Sequence, residues 1–251
     1  MTDALHLAHA PIIEAVLDIN CDLPPTIDFA ALQERAKQAL SASYPIARRQ
    51  ITQRHELRTA AAVGTADVAV REQVTGLQFL HTDEKQIVQF RSAGYTFNRL
   101  APYSSLDDYL ADIEWSWNIF RELTRPVQIR AIGLRFINRI LLPMTGGGVD
   151  LSEYLRLSPQ LADGKTLEFV GFMHQHVAVE VATENQVNVN LVTQLPENDQ
   201  LPIILDIETS DQRNRLPEDW QGVREAIVSL RSLKNRVFER TLTEECLNLF
   251  R

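Results

Sequence analysis

The sequence has few of the residues that build disulfide-held or metal-held folds. Its only cysteines, Cys21 and Cys246, stand far apart, with no CxxC pair and no Cys/His cluster. That excludes a small disulfide scaffold and leaves free thiols in a reducing cytoplasm as the expectation. No apolar run approaches the roughly 20 residues that span a bilayer. The opening MTDALHLAHAPIIEAV puts no Lys or Arg ahead of an apolar segment, so neither a transmembrane helix nor a secretory signal is expected, and no membrane partner. Catalytic signatures are missing too: there is no GxSxG, no HExxH and no kinase set. Gly146-Gly147-Gly148 lacks the Gly-Lys-Ser/Thr ending of a phosphate loop and the GxGxxG order of a dinucleotide fold, so it reads as a connector and no cofactor is expected. Nor is there a basic excess. The 25 Lys and Arg against 33 Asp and Glu make a net charge of −8, which disfavours a generally basic nucleic-acid binder.

What is present is ordinary globular composition, 45% apolar and 23% charged over 251 residues, enough to bury a sizeable core. The acid is uneven. Residues 1–140 carry 15 basic and 16 acidic side chains, while 141–251 carry 10 and 17.

The apolar spacing predicts a strand at 12–21, an amphipathic helix at about 27–43, extended stretches near 46–60, 66–82 and 86–99, and a helix over 105–124. The order then restarts: a long strand at 127–143, a short helix around 150–156, extended stretches near 165–182, 186–195 and 202–210, and a helix over about 217–240. Asp28, Asp150 and Thr243 stand where helix caps are needed. The reading is an α+β protein of two pseudo-repeated β-α-β-β-β-α halves, residues 1–126 and 127–251, forming antiparallel sheet with long helices on one face. That order is similar to duplicated helix-on-sheet folds such as the saddle of the TATA-binding protein, a topological analogy that does not set function.

Five strings, IEAVLDI (13–19), FNRLAPY (97–103), GLRFINRILLP (133–143), ILDIE (204–208) and FERTLTEE (238–245), together resemble an uncharacterised, sporadically distributed bacterial family of about 250 residues. The resemblance brings no catalytic residue with it. Sporadic occurrence implies at most an accessory part in a bacterial defence or toxin–antitoxin-like system.

The chemistry-bearing residues fall into four sets. Along the central strand, Gly133, Arg135, Ile137 and Arg139 share one face, and Asn138 lies on the other. An arginine in so apolar a strand needs a partner, and Glu14, Asp18 and Asp206 sit on equally apolar strands. Glu14, Arg135, Asn138, Arg139 and Asp206 are therefore a candidate ligand site or a structural ion-pair network. Arg48, Arg54, Arg58, Arg91 and Arg99 form a candidate phosphate or nucleic-acid patch, or a plain solvated face. His174 and His176 project from one side of a strand, and Glu168 and Glu180 share that face but stand about six and four residues away, so no metal is expected. Trp115 points away from the apolar stripe of its helix, toward solvent, the other half or a partner.

These features point to a non-enzymatic binding or interaction protein with a protein partner or a second copy. The alternatives are a nucleic-acid binder using the sheet face and an enzyme for a small anionic substrate.

Overall fold

A period of two in the apolar residues puts most of the chain into strands, and the register of those strands decides which side chains meet. The computed structural model describes residues 7–59, 66–157, 162–163, 166–167 and 170–251, with the side chains of 53–71 outside the description. In chain order its elements are β1 (Ile12–Asp22), α1 (Phe29–Leu40), β2 (Ile46–Thr59), β3 (Ala66–Leu80), β4 (Gln86–Arg91), β5 (Gly94–Leu100) and a 3-10 turn (Leu106–Tyr109) running into α2 (Leu110–Thr124). There follow β6 (Gln128–Pro143), α3 (Leu151–Tyr154), β7 (Met173–Val179), β8 (Gln186–Thr193), β9 (Gln200–Asp211), α4 (Trp220–Thr241) and α5 (Glu244–Asn248).

All nine described strands belong to one antiparallel sheet, ordered β2-β3-β4-β5-β1-β6-β9-β8-β7. This corrects the α+β expectation. The molecule is mainly β, built on that one sheet, and of its five described helices α3 and α5 are only four and five residues long. The halves also differ in element count. The stretch 86–99, read as one strand, is the hairpin β4–β5, so five strands precede β6 instead of four. Gly94 makes that hairpin possible. Its φ of +133° is open only to glycine, and a Cβ there would lie 2.1 Å from the Ile19 carbonyl oxygen.

The first strand of each half meets the other at the centre, β1 against β6. On one sheet face Ala15, Leu17 and Ile19 of β1, Tyr95 and Phe97 of β5, and Ile132, Leu134 and Phe136 of β6 form a core with α1, α2 and the first turns of α4. A second core holds Ile140 and Leu142 of β6, strands β8 and β9, the last turns of α4, and α5. Helix α4 therefore crosses both cores. Each large apolar side chain buried there contributes about 1.5–3 kcal/mol. Caps close the helices as expected, Asp28 accepting from Ala30 N, Asp150 from Ser152 N and Thr243 from Cys246 N. Among the described residues no helix is long and apolar enough to cross a membrane.

Candidate ligand-binding site

The opposite face of the sheet carries no helix among the described residues, and the register sets out its side chains in rows. One row runs Gln89, Thr96, Asp18, Gly133 across β4, β5, β1 and β6. The next runs Asn98, Val16, Arg135, Glu208. A third places Glu14 beside Ile137 and Asp206. At the β1–β6 seam these rows enclose a depression of about 250 Å³ lined by Glu14, Asp18, Arg91, Thr96, Arg135 and Glu208, among others. Gly133 adds no side chain to its floor.

Two ion pairs flank the depression. Arg135 stands directly across from Glu208 but leans one row along the strand. It grips Asp206 with three hydrogen bonds, Nε to Oδ1 at 2.9 Å and to Oδ2 at 3.1 Å, and Nη2 to Oδ2 at 2.7 Å. The aspartate side chain is only 10% exposed and the arginine 48%, so the carboxylate is anchored inward while the guanidinium reaches the rim. This bond raises the Arg135 pKa, with the nearby Glu208 and Glu14 adding to it. On the other side Arg91 Nη2 donates to Asp18 Oδ2 at 2.5 Å. Burial pushes the Asp18 carboxyl above its ordinary value, and Arg91 and Thr96 offset only part of that. Thr96 faces Asp18 across the strands, yet neither Thr96 Oγ1 nor Asp18 Oδ1 has a partner at hydrogen-bonding geometry.

A chain of amides holds Glu14. Gln50 Nε2 donates to Gln89 Oε1 at 2.6 Å, Gln89 Nε2 to Asn98 Oδ1 at 2.8 Å, and Asn98 Nδ2 to Glu14 Oε1 at 2.7 Å. Gln50 reaches β4 from β2 only because the intervening position on β3 is Gly76, where a Cβ would come within 2.5 Å of Gln50 Oε1. The chain pins the Glu14 carboxylate before any ligand arrives, the preorganisation a binding site needs.

The expected residues divide. Glu14, Arg135 and Asp206 come together as read. Asn138 does not join them. It lies on the helix face, 2% exposed, and donates to the Leu205 carbonyl at 2.9 Å. Arg139 shares their face but reaches away to Gln194 and to Glu197 Oε1, the latter at 2.5 Å.

The arginine patch is not assembled. Arg48 is exposed on the open face beside Gln78, and Arg91 is tied to Asp18. Arg99 lies on the helix side, where it bonds Asp83 at 2.5 Å and sits over the Tyr109 ring at 5.2 Å. The side chains of Arg54 and Arg58 lie outside the described residues.

Trp115, 37% exposed, stacks on Tyr44 with centroids 6.2 Å apart. His174 and His176 touch each other at 3.0 Å. Glu180, on the same strand stretch, is taken by Arg236 and Thr183, and Glu168 lies outside the described residues. Both cysteines are free, and burial pushes each thiol up to about 12.

Sequence reading missed Gln89, Thr96, Asn98 and Glu208. The available signal was alternation, since Gln89, Thr96 and Asn98 interleave with Val88, Phe90, Tyr95 and Phe97. A larger hollow of about 680 Å³ opens beside the start of α4. Its two arginines, Arg213 and Arg215, are both turned to Asp211 at 2.5 Å, and the Asp219 carboxylate already caps the helix. Compared with protein-family models, curated proteins and solved structures, the chain matches none.

Proposed function

We propose that this is a non-enzymatic binding protein that meets its partner with the open face of the sheet, centred on the depression at the β1–β6 seam. The observation that carries the reading is the seam itself. Strands from both halves converge there on a set of polar side chains already fixed by one another, and both arginines are ion-paired with carboxylates. Such a set recognises a shape and a charge pattern; no Ser, Cys or Lys nucleophile and no His base lines the depression. A small anionic substrate fits poorly, because carboxylates outnumber arginines around the depression. A nucleic-acid surface draws less support, with Arg99 on the other face and Arg91 neutralised. A role in a defence system rests on the family resemblance alone.

Val16→Arg fills the depression from the open face and leaves the helix-face core untouched. With folding checked by circular dichroism, the wild type is expected to retain a partner or a second copy through purification and light scattering, and Val16→Arg to lose it. A wild type that stays monomeric and partnerless, a variant that keeps its partner, or turnover of a screened substrate would each overturn the proposal.

A further inference from the structure

We infer that the depression takes an organic cation: an alkylammonium or guanidinium group, either on a small free molecule or on a partner's basic side chain. The inference rests on the reading of the depression as a binding site and adds the chemistry of what enters it. Three carboxylates, Glu14, Asp18 and Glu208, line it with two arginines, Arg91 and Arg135, and Asp206, outside the lining, holds Arg135. Each arginine is ion-paired to one aspartate, with Arg91 Nε left without a partner at hydrogen-bonding geometry. Glu14 accepts only from the neutral Asn98 amide, and Glu208 forms no ion pair among the described residues. The unmatched charge facing the depression is therefore negative.

Three further observations narrow the ligand. Thr96, 4% exposed, lines the depression with a hydroxyl that has no partner at hydrogen-bonding geometry, and Asp18 Oδ1 beside it is equally unpartnered. Facing Asp18, the Thr96 hydroxyl can donate to that carboxylate and still accept from an N–H donor. Glu14 and Glu208 stand on β1 and β9 with β6 between them and one row apart along the strands, about 12 Å apart at a strand spacing of about 4.8 Å and a rise of about 3.4 Å per residue. That separation suits an extended cation better than a point charge, and among the described residues no group of three ligating side chains meets to hold a metal ion. The volume, about 250 Å³, falls below the roughly 300–1,000 Å³ of pockets for drug-sized molecules. It accommodates a small amine or one basic side chain.

The test is titration calorimetry with agmatine, a capped Gly-Arg-Gly peptide and glutarate, on the wild type and on Glu14→Gln and Glu208→Gln. Both substitutions remove charge while sparing the fold. Gln keeps an oxygen for Asn98 at position 14, and Glu208 has no ion pair to lose. Agmatine or the peptide should bind, with each substitution weakening it about tenfold, the scale of one charge-assisted hydrogen bond. Agmatine alone assigns a free cation, and the peptide a side chain. Glutarate binding in place of the cations would overturn the cation class while leaving the depression a binding site. The same holds if no probe binds but Val16→Arg still loses its partner. No probe bound and an unaffected partner in Val16→Arg would remove both readings. Cation binding that ignores both glutamates would place the cation elsewhere and also overturn the inference.

Discussion

On β1, Leu17 and Ile19 turn toward the helices and are at most 1% exposed, while Val16 and Asp18, one residue away, turn to the open face and the depression. β6 repeats the contrast, with Leu134 and Phe136 against Gly133 and Arg135. The helix face is apolar at the seam apart from Asn138 and is covered by α2 and α4. The open face holds charges in pairs and amides in a chain. Stability and recognition are thus separated by a single step of the strand period. Changes on one face should leave the other nearly intact.

The sharpest break comes on the helix face. Phe136 is 1% exposed, flanked edge-on by Tyr103 at 5.8 Å and capped by Lys234 Nζ at 4.1 Å from its ring centre. Phe136→Ala should lower stability by about 3–5 kcal/mol, read as a fall in the urea midpoint, while the folded variant still binds on the open face. Asp211 is the exception that tests the rule, a carboxylate on the helix side of β9 whose side chain is 2% exposed. Burial alone would raise its pKa, but hydrogen bonds from Arg213 and Arg215 bring it down to about 2. Asp211→Asn should cost about 2–4 kcal/mol at pH 7, since Arg215, 12% exposed, loses its carboxylate.

Much of this division was legible. Apolar alternation located β1, β6 and β9, and an arginine within an apolar strand called for the carboxylate it has. Register was not legible, and register chooses partners. Arg135 could have met Glu14, Glu208 or Asp206; the β6–β9 register sets it across from Glu208 and within reach of Asp206 one row along, which it grips. Arg91 finds Asp18 from 73 residues away through the neighbouring β5.

The arginine patch failed for a related reason. Read as one strand, 86–99 puts Arg91 and Arg99 on the same face, both at odd positions. The hairpin pairs Arg91 with Gly94, so even positions of β5 share the face of odd positions of β4. Arg99 is thereby turned to the helix side. The same miscount hid the fifth strand of the first half and made the two halves look alike.

A smaller effect should follow on the open face itself. In Gly76→Ala the new Cβ would meet Gln50 Oε1 at 2.5 Å and the Phe90 backbone oxygen at 2.8 Å. The glutamine can swing away, but the strand cannot, so the expected cost is about 1–2 kcal/mol. The amide chain to Glu14 would open at its first link. Chemical denaturation reads the first effect, and weaker binding at the depression reads the second. A variant as stable as the wild type would show that the open face is looser than its hydrogen bonds imply.

The smallest stability effect carries the clearest sign, because the half-buried Asp18 and the buried Asp211 are aspartates of opposite character. Asp211, depressed to about 2 by two arginines, stabilises fully above the unfolded carboxylate value of about 3.9, and that contribution is lost as pH falls through about 2. Asp18 has one arginine and a raised value. Its protonated form is favoured in the folded protein, so its contribution is fully present below about pH 3.9 and is lost as pH rises through its folded value. The deficit of Asp211→Asn relative to wild type should therefore shrink on acidification from pH 4 to 2. Asp18→Asn should instead gain on the wild type as pH rises from 4 to 7, staying within about 1 kcal/mol because Arg91, 28% exposed, can turn to water. Urea titrations of the three proteins across that range would show the two differences moving with opposite slopes. Parallel slopes would mean that Arg91 holds Asp18 as firmly as two arginines hold Asp211, and the open face would then be as rigidly charged as the core is packed.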